Sequence, residues 1–163
     1  MSSKSSADPD AARRRRRLGN SVKDSLRELN LQLSLLNSKV SSRLDVRDID
    51  LDCMDLVARY GPLSPSALAR RAGLHPATVT GILDRLERGG WIARERDPSD
   101  RRSVLVRTVR DRSAEVFRLY AGMNAAMDEI CGRYDDAELE VLADFLRRTV
   151  DAGRAATDDL APQ

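Results

Sequence analysis

The stretch SPSALARRAGLHPATVTGILDRLERGGWIARERDPSDRRSVLVRTV, residues 64–109, decides the fold. Ser64-Pro65 and His75-Pro76 each place a polar residue directly before a proline. That order is typical of a helix N-cap followed by the first helical position. The helix after Pro65 is expected to end at Ala72-Gly73, and the helix after Pro76 at Gly89-Gly90. The stretch therefore predicts two short helices joined by a tight turn.

The hydrophobic period changes after residue 90. Trp91–Arg96 can form a strand, and Ser103–Val109 is β-branched and roughly alternating, as a returning strand is. Asp97-Pro98-Ser99-Asp100 between them is turn chemistry. The order helix, turn, helix, β-hairpin predicts a winged helix-turn-helix, in which the second helix lies in the DNA major groove.

Long amphipathic segments flank this unit on both sides. Ser21 and Asp24 resemble a capping box, so the first helix is expected to begin near Ser21. Asp48 to Tyr60 is expected to form a shorter helix, and Asp135-Asp136 to open the last one. Each long segment carries an apolar seam with helical spacing. The three seams are Val22, Leu26, Leu29, Leu33, Leu36 and Val40; then Val116–Tyr134; then Leu139–Val150.

The fold class predicted from these elements is mainly α, with a small β-hairpin wing: a winged helix-turn-helix plus a helical dimerisation domain. A single winged domain cannot cover three long apolar seams, so a twofold homodimer is expected. The dimerisation residues are predicted to include Leu26, Leu29, Leu33, Leu36, Leu142, Leu146 and Val150. The predicted segments are a mobile basic arm at 1–20, an N-terminal dimerisation helix at 21–47, the winged DNA-binding domain at 48–110, C-terminal dimerisation helices at 111–156 and a frayed tail at 157–163.

Composition narrows the class of protein. The 163 residues are 33% charged and only 4% aromatic, which favours packed helices in a globular chain. No apolar run approaches the length of a membrane span, and no secretory leader is visible, so a cytoplasmic location is expected. Residues 59–112 carry twelve arginines and six acids, whereas residues 113–163 carry five arginines and eleven acids. The basic middle is where a polyanionic partner is expected.

The second short helix should present one face to DNA. With Val79 at the centre of the buried face, a rotation of 100° per residue puts Ala77, Gly81, Asp84 and Arg88 opposite. Thr78 and Arg85 lie on one flank, and Thr80 on the other. Small residues allow close approach, and Thr and Arg side chains can contact bases or phosphates. Gly81 is equally compatible with ordinary drift at a surface position.

These residues resemble those of the multiple antibiotic resistance regulator (MarR) family. The resemblance rests on Gly61-Pro62-Leu63-Ser64, Leu68-Ala69, Thr78-Val79-Thr80 with Leu83-Asp84-Arg85-Leu86-Glu87, and Asp97-Pro98-Ser99-Asp100-Arg101-Arg102. It implies a dimerisation domain made by the first and last two helices. It also implies that Asp100 braces the wing and that Arg102 enters the minor groove, with Arg101 able to do either. The family usually places Leu-Thr and then Gly after the wing, where this sequence has Thr108-Val109 and Arg112; Asp111 is considered as the replacement helix cap.

The function predicted is a sequence-specific DNA-binding transcriptional regulator, favoured as a repressor, that acts as a homodimer on a pseudo-palindromic operator. Residues expected at the DNA are Ala77, Thr78, Thr80, Gly81, Arg85, Arg88, Asp100, Arg101 and Arg102. Many members of the family bind small lipophilic anions, so a small-molecule effector is a further possibility. Candidate residues for its cleft are Met54, Tyr60, Tyr120 and Met123.

Two other classes of function stay open beside this one. One is a winged-helix protein-interaction module without specific DNA binding, and the other is a regulator that senses oxidants through Cys53 or Cys131. An enzyme is not expected, because His75 is the single histidine and suits a helix cap. The spacing of Cys53, His75 and Cys131 matches no metal site, and no cofactor is expected.

Overall fold

A computed structural model gives the structure of residues 9–100 and 102–160. The chain divides after Asp48 into two units, the first holding the N-terminal helix and the second all residues from Ile49 onward. The elements of the described residues are α1 (Pro9–Leu44), α2 (Asp48–Tyr60), α3 (Pro65–Ala72), α4 (Pro76–Arg88), β1 (Ile92–Arg96), β2 (Val104–Thr108), α5 (Arg110–Cys131) and α6 (Asp136–Asp159).

The first helix is longer than the sequence indicated. It spans 36 residues from Pro9, with Asp10 in its first turn, so the predicted start near Ser21 is wrong. The five arginines Arg13–Arg17 are exposed on this helix. The basic arm expected at 1–20 is therefore helical from residue 9, and its first eight residues lie outside the described part. Arginine is among the better helix formers, so a run of five arginines is compatible with a continuous helix.

The helix-turn-helix follows its capping residues closely. Ser64 Oγ accepts a hydrogen bond from the Ala67 N–H at 3.2 Å, and Gly73 closes α3 with a φ of 64°. His75 Nδ1 accepts from the Ala77 N–H at 3.2 Å, which opens α4. The predicted bounds of both helices and the capping role of His75 are confirmed.

The wing is an antiparallel pair of five-residue strands in which Ile92 faces Thr108 and Arg96 faces Val104. Leu63, just before α3, forms an isolated bridge to Val106. Its N–H donates to the Val106 carbonyl at 3.0 Å, and the Val106 N–H donates back at 2.8 Å. The loop before the helix-turn-helix is thereby joined to the wing, a contact that the sequence pattern did not indicate.

The core of the second unit lies between α2, α3, α4 and the wing. The fully buried stripe of α4 is the one expected from its spacing. Leu68 and Val106 are also buried completely, and Trp91 nearly so. The buried α4 residues are Val79, Ile82, Leu83 and Leu86.

The last two helices are capped differently. Asp135 forms a capping box with Glu138 and opens α6 as expected. Val109, not Asp111, is the N-cap of α5, and it provides no side-chain hydrogen bond. Asp111 lies in the first turn instead, where a negative charge suits the helix dipole. The helix α6 extends to Asp159, three residues into the tail that is expected to fray from residue 157.

Candidate nucleic-acid interface

The outward face of α4 is the core of the candidate interface. Ala77, Thr78 and Thr80 are exposed there, and Gly81 is half-exposed. The Thr80 hydroxyl donates to the Pro76 carbonyl at 3.1 Å, which leaves its oxygen able to accept a bond from a partner. Arg88 is exposed and its Nε donates to the Asp84 carbonyl at 3.1 Å, so this side chain folds along its own helix. The face combines small residues with hydroxyl groups, as a groove-facing surface does.

Gly81 has room for a side chain. A methyl group there would meet only Arg85 Nη1, at 3.7 Å, so nothing inside the chain requires glycine. Its helical backbone also needs no special conformation.

Gly81→Ala is expected to stabilise the free protein by up to about 1 kcal/mol, since alanine is the better helix former. Urea unfolding at equilibrium measures this. DNA titration with the same variant then decides the role of the position. Weakened binding by a more stable protein would place the backbone of residue 81 against the duplex, and unchanged binding would make Gly81 an ordinary surface position.

A partly buried ion pair joins the middle of α4 to α2. Arg85 Nη2 donates to Asp50 Oδ1 at 2.6 Å, and Arg85 Nε donates to Asp50 Oδ2 at 3.1 Å. The Asp50 side chain is only 4% exposed and that of Arg85 32%. The guanidinium is therefore directed into the domain by a two-pronged contact. Sequence reasoning missed Asp50. Its spacing of three residues from Cys53 and seven from Val57 places it on the buried stripe of α2, where a carboxylate needs a cationic partner.

The first wing strand is also tied to α4. Arg94 donates to Asp84 Oδ1 at 2.7 Å and to Glu87 Oε2 at 2.6 Å. These charge-assisted bonds join exposed positions of α4 to β1, and they raise the pKa of the Arg94 guanidinium above its ordinary value. Two of the acids beside the candidate interface are thus neutralised within the domain.

Arg112 links the end of α4 to α5. Its guanidinium lies 4.1 Å from the centre of the buried Trp91 ring. It also donates to the Gly89 carbonyl at 3.0 Å and to Glu115 at 2.7 Å. A side chain at Gly89 would collide with Trp91 at 2.7 Å, so glycine is needed for this packing. Arg112, at the position where the family usually has glycine, therefore joins the end of α4 to α5.

Arg112→Ala is expected to lower the free energy of unfolding by about 1–2 kcal/mol, since it removes a cation–π contact and a hydrogen bond to a helix end. Urea denaturation measures the change. Arg110→Ala is the matched control, because Arg110 is exposed on the same helix turn. Equal stability of the two variants would contradict a structural role for Arg112.

The wing tip is a hydrogen-bonded turn. Asp97 Oδ1 accepts from the Ser99 N–H at 2.8 Å and from its hydroxyl at 2.6 Å, and these bonds lower the pKa of the Asp97 carboxyl. Asp100 Oδ1 accepts from the Arg102 N–H at 3.0 Å. The Arg102 side chain is exposed. Arg101, also predicted to contact DNA, lies outside the described residues.

The charges near this tip are not equivalent. Arg107 pairs with Glu95 across the strands at 2.6 Å, and Arg94 is held by α4. Arg96, at the tip end of β1, and Arg102, in the turn before β2, are exposed. The wing thus presents cationic side chains at its tip, whereas the arginines nearer its base are paired with acids of the same domain.

The predicted effector residues differ in how far they are exposed. Met54 is buried, whereas Tyr120 and Met123 are half-buried on α5. The Tyr60 ring is exposed, lies 4.2 Å beneath the Arg71 guanidinium, and its hydroxyl accepts from Arg154 at 3.1 Å. A cleft for an effector at these residues stays a prediction.

The two cysteines differ in access. Cys53 is fully buried beside the Asp50–Arg85 pair. Burial, and next the charges of Asp50 and Asp52, raise the pKa of its thiol to about 11. Because the thiolate is the reactive form, this environment disfavours oxidant sensing at Cys53. Cys131 is half-buried at the end of α5.

The predicted dimerisation residues lie on the surface of the single chain. Leu29 and Leu33 of α1, and Leu142, Leu146 and Val150 of α6, are all exposed, while Leu26 and Leu36 are half-exposed. Neither α5 nor α6 has a single buried residue. These helices therefore carry apolar faces that the described part of one chain does not cover.

Comparison with known proteins identifies the winged unit. Residues 50–104 match the family model described as MarR family. Over these residues the chain is similar to the MarR family. The HTH-type transcriptional regulator YcgE of Bacillus subtilis (strain 168) is 29% identical over 125 residues, which cover 77% of this chain and 81% of that protein. The HTH-type transcriptional repressor YetL of the same organism is 29% identical over 84 residues, which cover 52% of this chain and 50% of that protein.

A solved MarR-family protein from Bacillus stearothermophilus shares the fold. It superposes with a TM-score of 0.65 at 19% identity, and the match covers 85% of this chain and 97% of that one. The prediction of a mainly helical winged helix-turn-helix is confirmed.

The names of these relatives also bear on the class of protein. They are described as transcriptional regulators, in line with the expectation that the chain is not an enzyme. Within residues 9–100 and 102–160, no helix has both the length and the apolarity to cross a bilayer.

Proposed function

We propose that this chain is a MarR-type homodimeric repressor that binds a pseudo-palindromic DNA operator, with α4 in the major groove and the wing against the neighbouring minor groove. The observation that carries the proposal is the presence of two surfaces on one structural unit. Thr78 and Thr80 are exposed on α4, and Arg102 is exposed at a hydrogen-bonded wing tip. A groove-sized helix face beside a cationic hairpin fits duplex DNA.

Contacts of the proposed interface fall into two groups. Ala77 and Gly81 allow the α4 backbone to approach, and Thr78 and Thr80 contact bases or phosphates. Arg88, Arg101 and Arg102 supply positive charge, and Asp100 supports the turn that presents Arg102. The steric freedom around Gly81 and the absence of a φ constraint there favour close approach over a packing role.

The test is selection of bound duplexes from a random pool by the full chain. We expect enriched sequences with twofold symmetry and half-sites about 10 base pairs apart, or a multiple of that spacing. Affinity for the enriched duplex should fall steeply with salt, since several phosphates are neutralised. Recovery of no preferred duplex would overturn the proposal and favour a winged-helix protein-interaction module.

Repression is favoured over activation because YetL, a relative, is named as a repressor. A transcription assay on a promoter that overlaps the selected operator should show less transcript as the protein is added. More transcript would overturn this part of the proposal and leave DNA binding intact.

The proposal also includes an effector site near Tyr60. The Tyr60 ring lies beside the guanidinium groups of Arg71 and Arg154, a setting suited to a small aromatic anion. A screen of phenolic carboxylates for release of the bound operator tests it. Release that persists in Tyr60→Ala would place the effector elsewhere.

A further inference from the structure

The Asp50–Arg85 pair makes Arg85 unlike the other arginines of the interface region. Arg85 uses Nε and Nη2 on the two oxygens of one carboxylate. Arg88 and Arg102 are classed as exposed, whereas Arg85 is only half-exposed and its partner Asp50 is buried. Base readout through Nε and Nη2, the edge that faces Asp50, would require the guanidinium to leave this carboxylate.

Departure of Arg85 would leave Asp50 charged, buried and unpaired. The penalty for stranding a buried carboxylate exceeds what one good contact to a base provides. The fork geometry of the pair is also directional, because a planar guanidinium matches a carboxylate only in a narrow range of orientations. Arg85 is therefore better placed to hold α4 in position than to leave the Asp50 carboxylate.

We infer that Arg85 is a positioning residue, which sets the orientation of α4 on α2 through Asp50 and does not itself read a base. This inference rests on the proposed function, because it assigns α4 as the DNA-reading helix. It revises the expectation that Arg85 contacts the operator directly.

The position of the pair explains what it would control. Arg94 ties Asp84 and Glu87 to the wing, and Arg112 ties the Gly89 end of α4 to α5. Asp50 is the anchor from α2: it contacts α4 at Arg85, one helical turn after Gly81. Loss of that anchor lets α4 shift as a unit, so Thr78 and Thr80 move together. The effect on DNA recognition should then spread over the half-site and not fall on one base pair.

Asp50→Asn gives opposite results under the two roles of Arg85. The substitution removes a negative charge and frees the guanidinium. If Arg85 leaves Asp50 to read DNA, affinity for the selected operator should stay equal or rise. If Arg85 positions α4, affinity should fall, by about tenfold, despite the more positive charge of the protein. Asp55→Asn is the matched control, because Asp55 is an exposed acid of the same helix, paired with Arg59 at 2.7 Å; its affinity should equal that of the parent.

Arg85→Ala and the double variant complete the test. We expect both to lose about as much operator affinity as Asp50→Asn, so that the two substitutions are far from additive. The order of base preference should be flattened across the half-site in all three. Loss of preference confined to one or two base pairs in Arg85→Ala, or Asp50→Asn binding like the parent, would overturn the inference.

Measurements without DNA separate this inference from the proposed function. Amide hydrogen exchange in α4 should be about tenfold faster in Asp50→Asn than in Asp55→Asn or the parent. Asp50→Glu, which keeps the charge but displaces the carboxylate, provides a second variant should Asp50→Asn unfold, and it should raise α4 exchange in the same way. Unchanged exchange in every folded Asp50 variant would overturn the positioning role. A parent chain that selects no preferred duplex would overturn the proposed function, while the exchange data would still report on the anchor.

Discussion

Leu146→Arg is expected to convert the chain from dimer to monomer at micromolar concentration and to abolish tight operator binding. Leu146 is 48% exposed in the single chain, between the exposed Leu142 and Val150 on the same face of α6. Burial of a leucine side chain stabilises an interface by about 1.5–3 kcal/mol, and twofold symmetry doubles the loss. The dimer dissociation constant should rise by at least about 100-fold.

The consequence for DNA follows from symmetry. A dimer holds its second recognition helix near the second half-site, which raises the effective concentration of that helix. A monomer loses this advantage, so operator affinity should fall even though the new arginine adds positive charge. A fall in affinity is informative because the positive charge of the new arginine alone would tighten DNA binding.

Sedimentation of parent and variant measures the assembly state, and DNA titration measures the affinity. Val141→Arg is the control on the same helix, since Val141 is 70% exposed and lies about 140° around α6 from Leu146. It should remain dimeric. Leu33→Arg tests the α1 face in the same way. A parent chain that sediments as a folded monomer at micromolar concentration would refute the dimer.

Local chemistry made the helix-turn-helix predictable. A cap and a proline occupy consecutive positions at Ser64-Pro65 and at His75-Pro76, and each signal acts within one turn of the helix that it starts. Asp135 with Glu138 works in the same way for α6. The turn residues from Asp97 to Asp100 likewise define the wing through bonds two and three residues apart.

The start of α1 was misjudged because two local signals compete. A run of five arginines suggests a self-repelling arm, yet each arginine is also a good helix former. The described part of α1 already begins at Pro9, twelve residues before the start assigned to Ser21 and Asp24. The same competition explains α5, where Asp111 was considered for the cap but Val109 occupies it.

Contacts that fix the orientation of α4 lie beyond any local pattern. Asp50 and Arg85 are 35 residues apart, and Gly89 and Arg112 are 23 apart. Periodicity gives the buried face of each helix but not which charged residue meets which. The outward face of α4 could be read from spacing alone, whereas the inward direction of Arg85 could not.

Arg102→Ala is expected to weaken operator binding by at least about 2 kcal/mol, or roughly thirtyfold, because each dimer would lose one charge-assisted contact in each of two wings. The Asp100 carboxylate holds the Arg102 N–H at 3.0 Å, and the side chain itself is exposed. Its removal should therefore leave the fold and the dimer nearly unchanged. Urea unfolding and sedimentation check that expectation.

The control for Arg102 comes from β2, the strand that follows it. Arg107→Ala removes an equal charge, but Arg107 is paired with Glu95 at 2.6 Å, so a smaller loss of DNA affinity is expected. Arg102→Lys should restore only part of the parent affinity. A lysine keeps the charge, but its ammonium is more strongly hydrated and lacks the planar fork.

The base composition next to each half-site shows which groove Arg102 occupies. A·T-rich flanks narrow the minor groove and concentrate negative potential, which favours an inserted arginine. The loss caused by Arg102→Ala should therefore be larger on operators with A·T flanks than on operators with G·C flanks. An equal loss on both, with a shallower salt dependence, would place Arg102 on the phosphates. Equal affinity of variant and parent on both operators would show that Arg102 is a solvated residue of the turn and that the wing does not contact DNA through it.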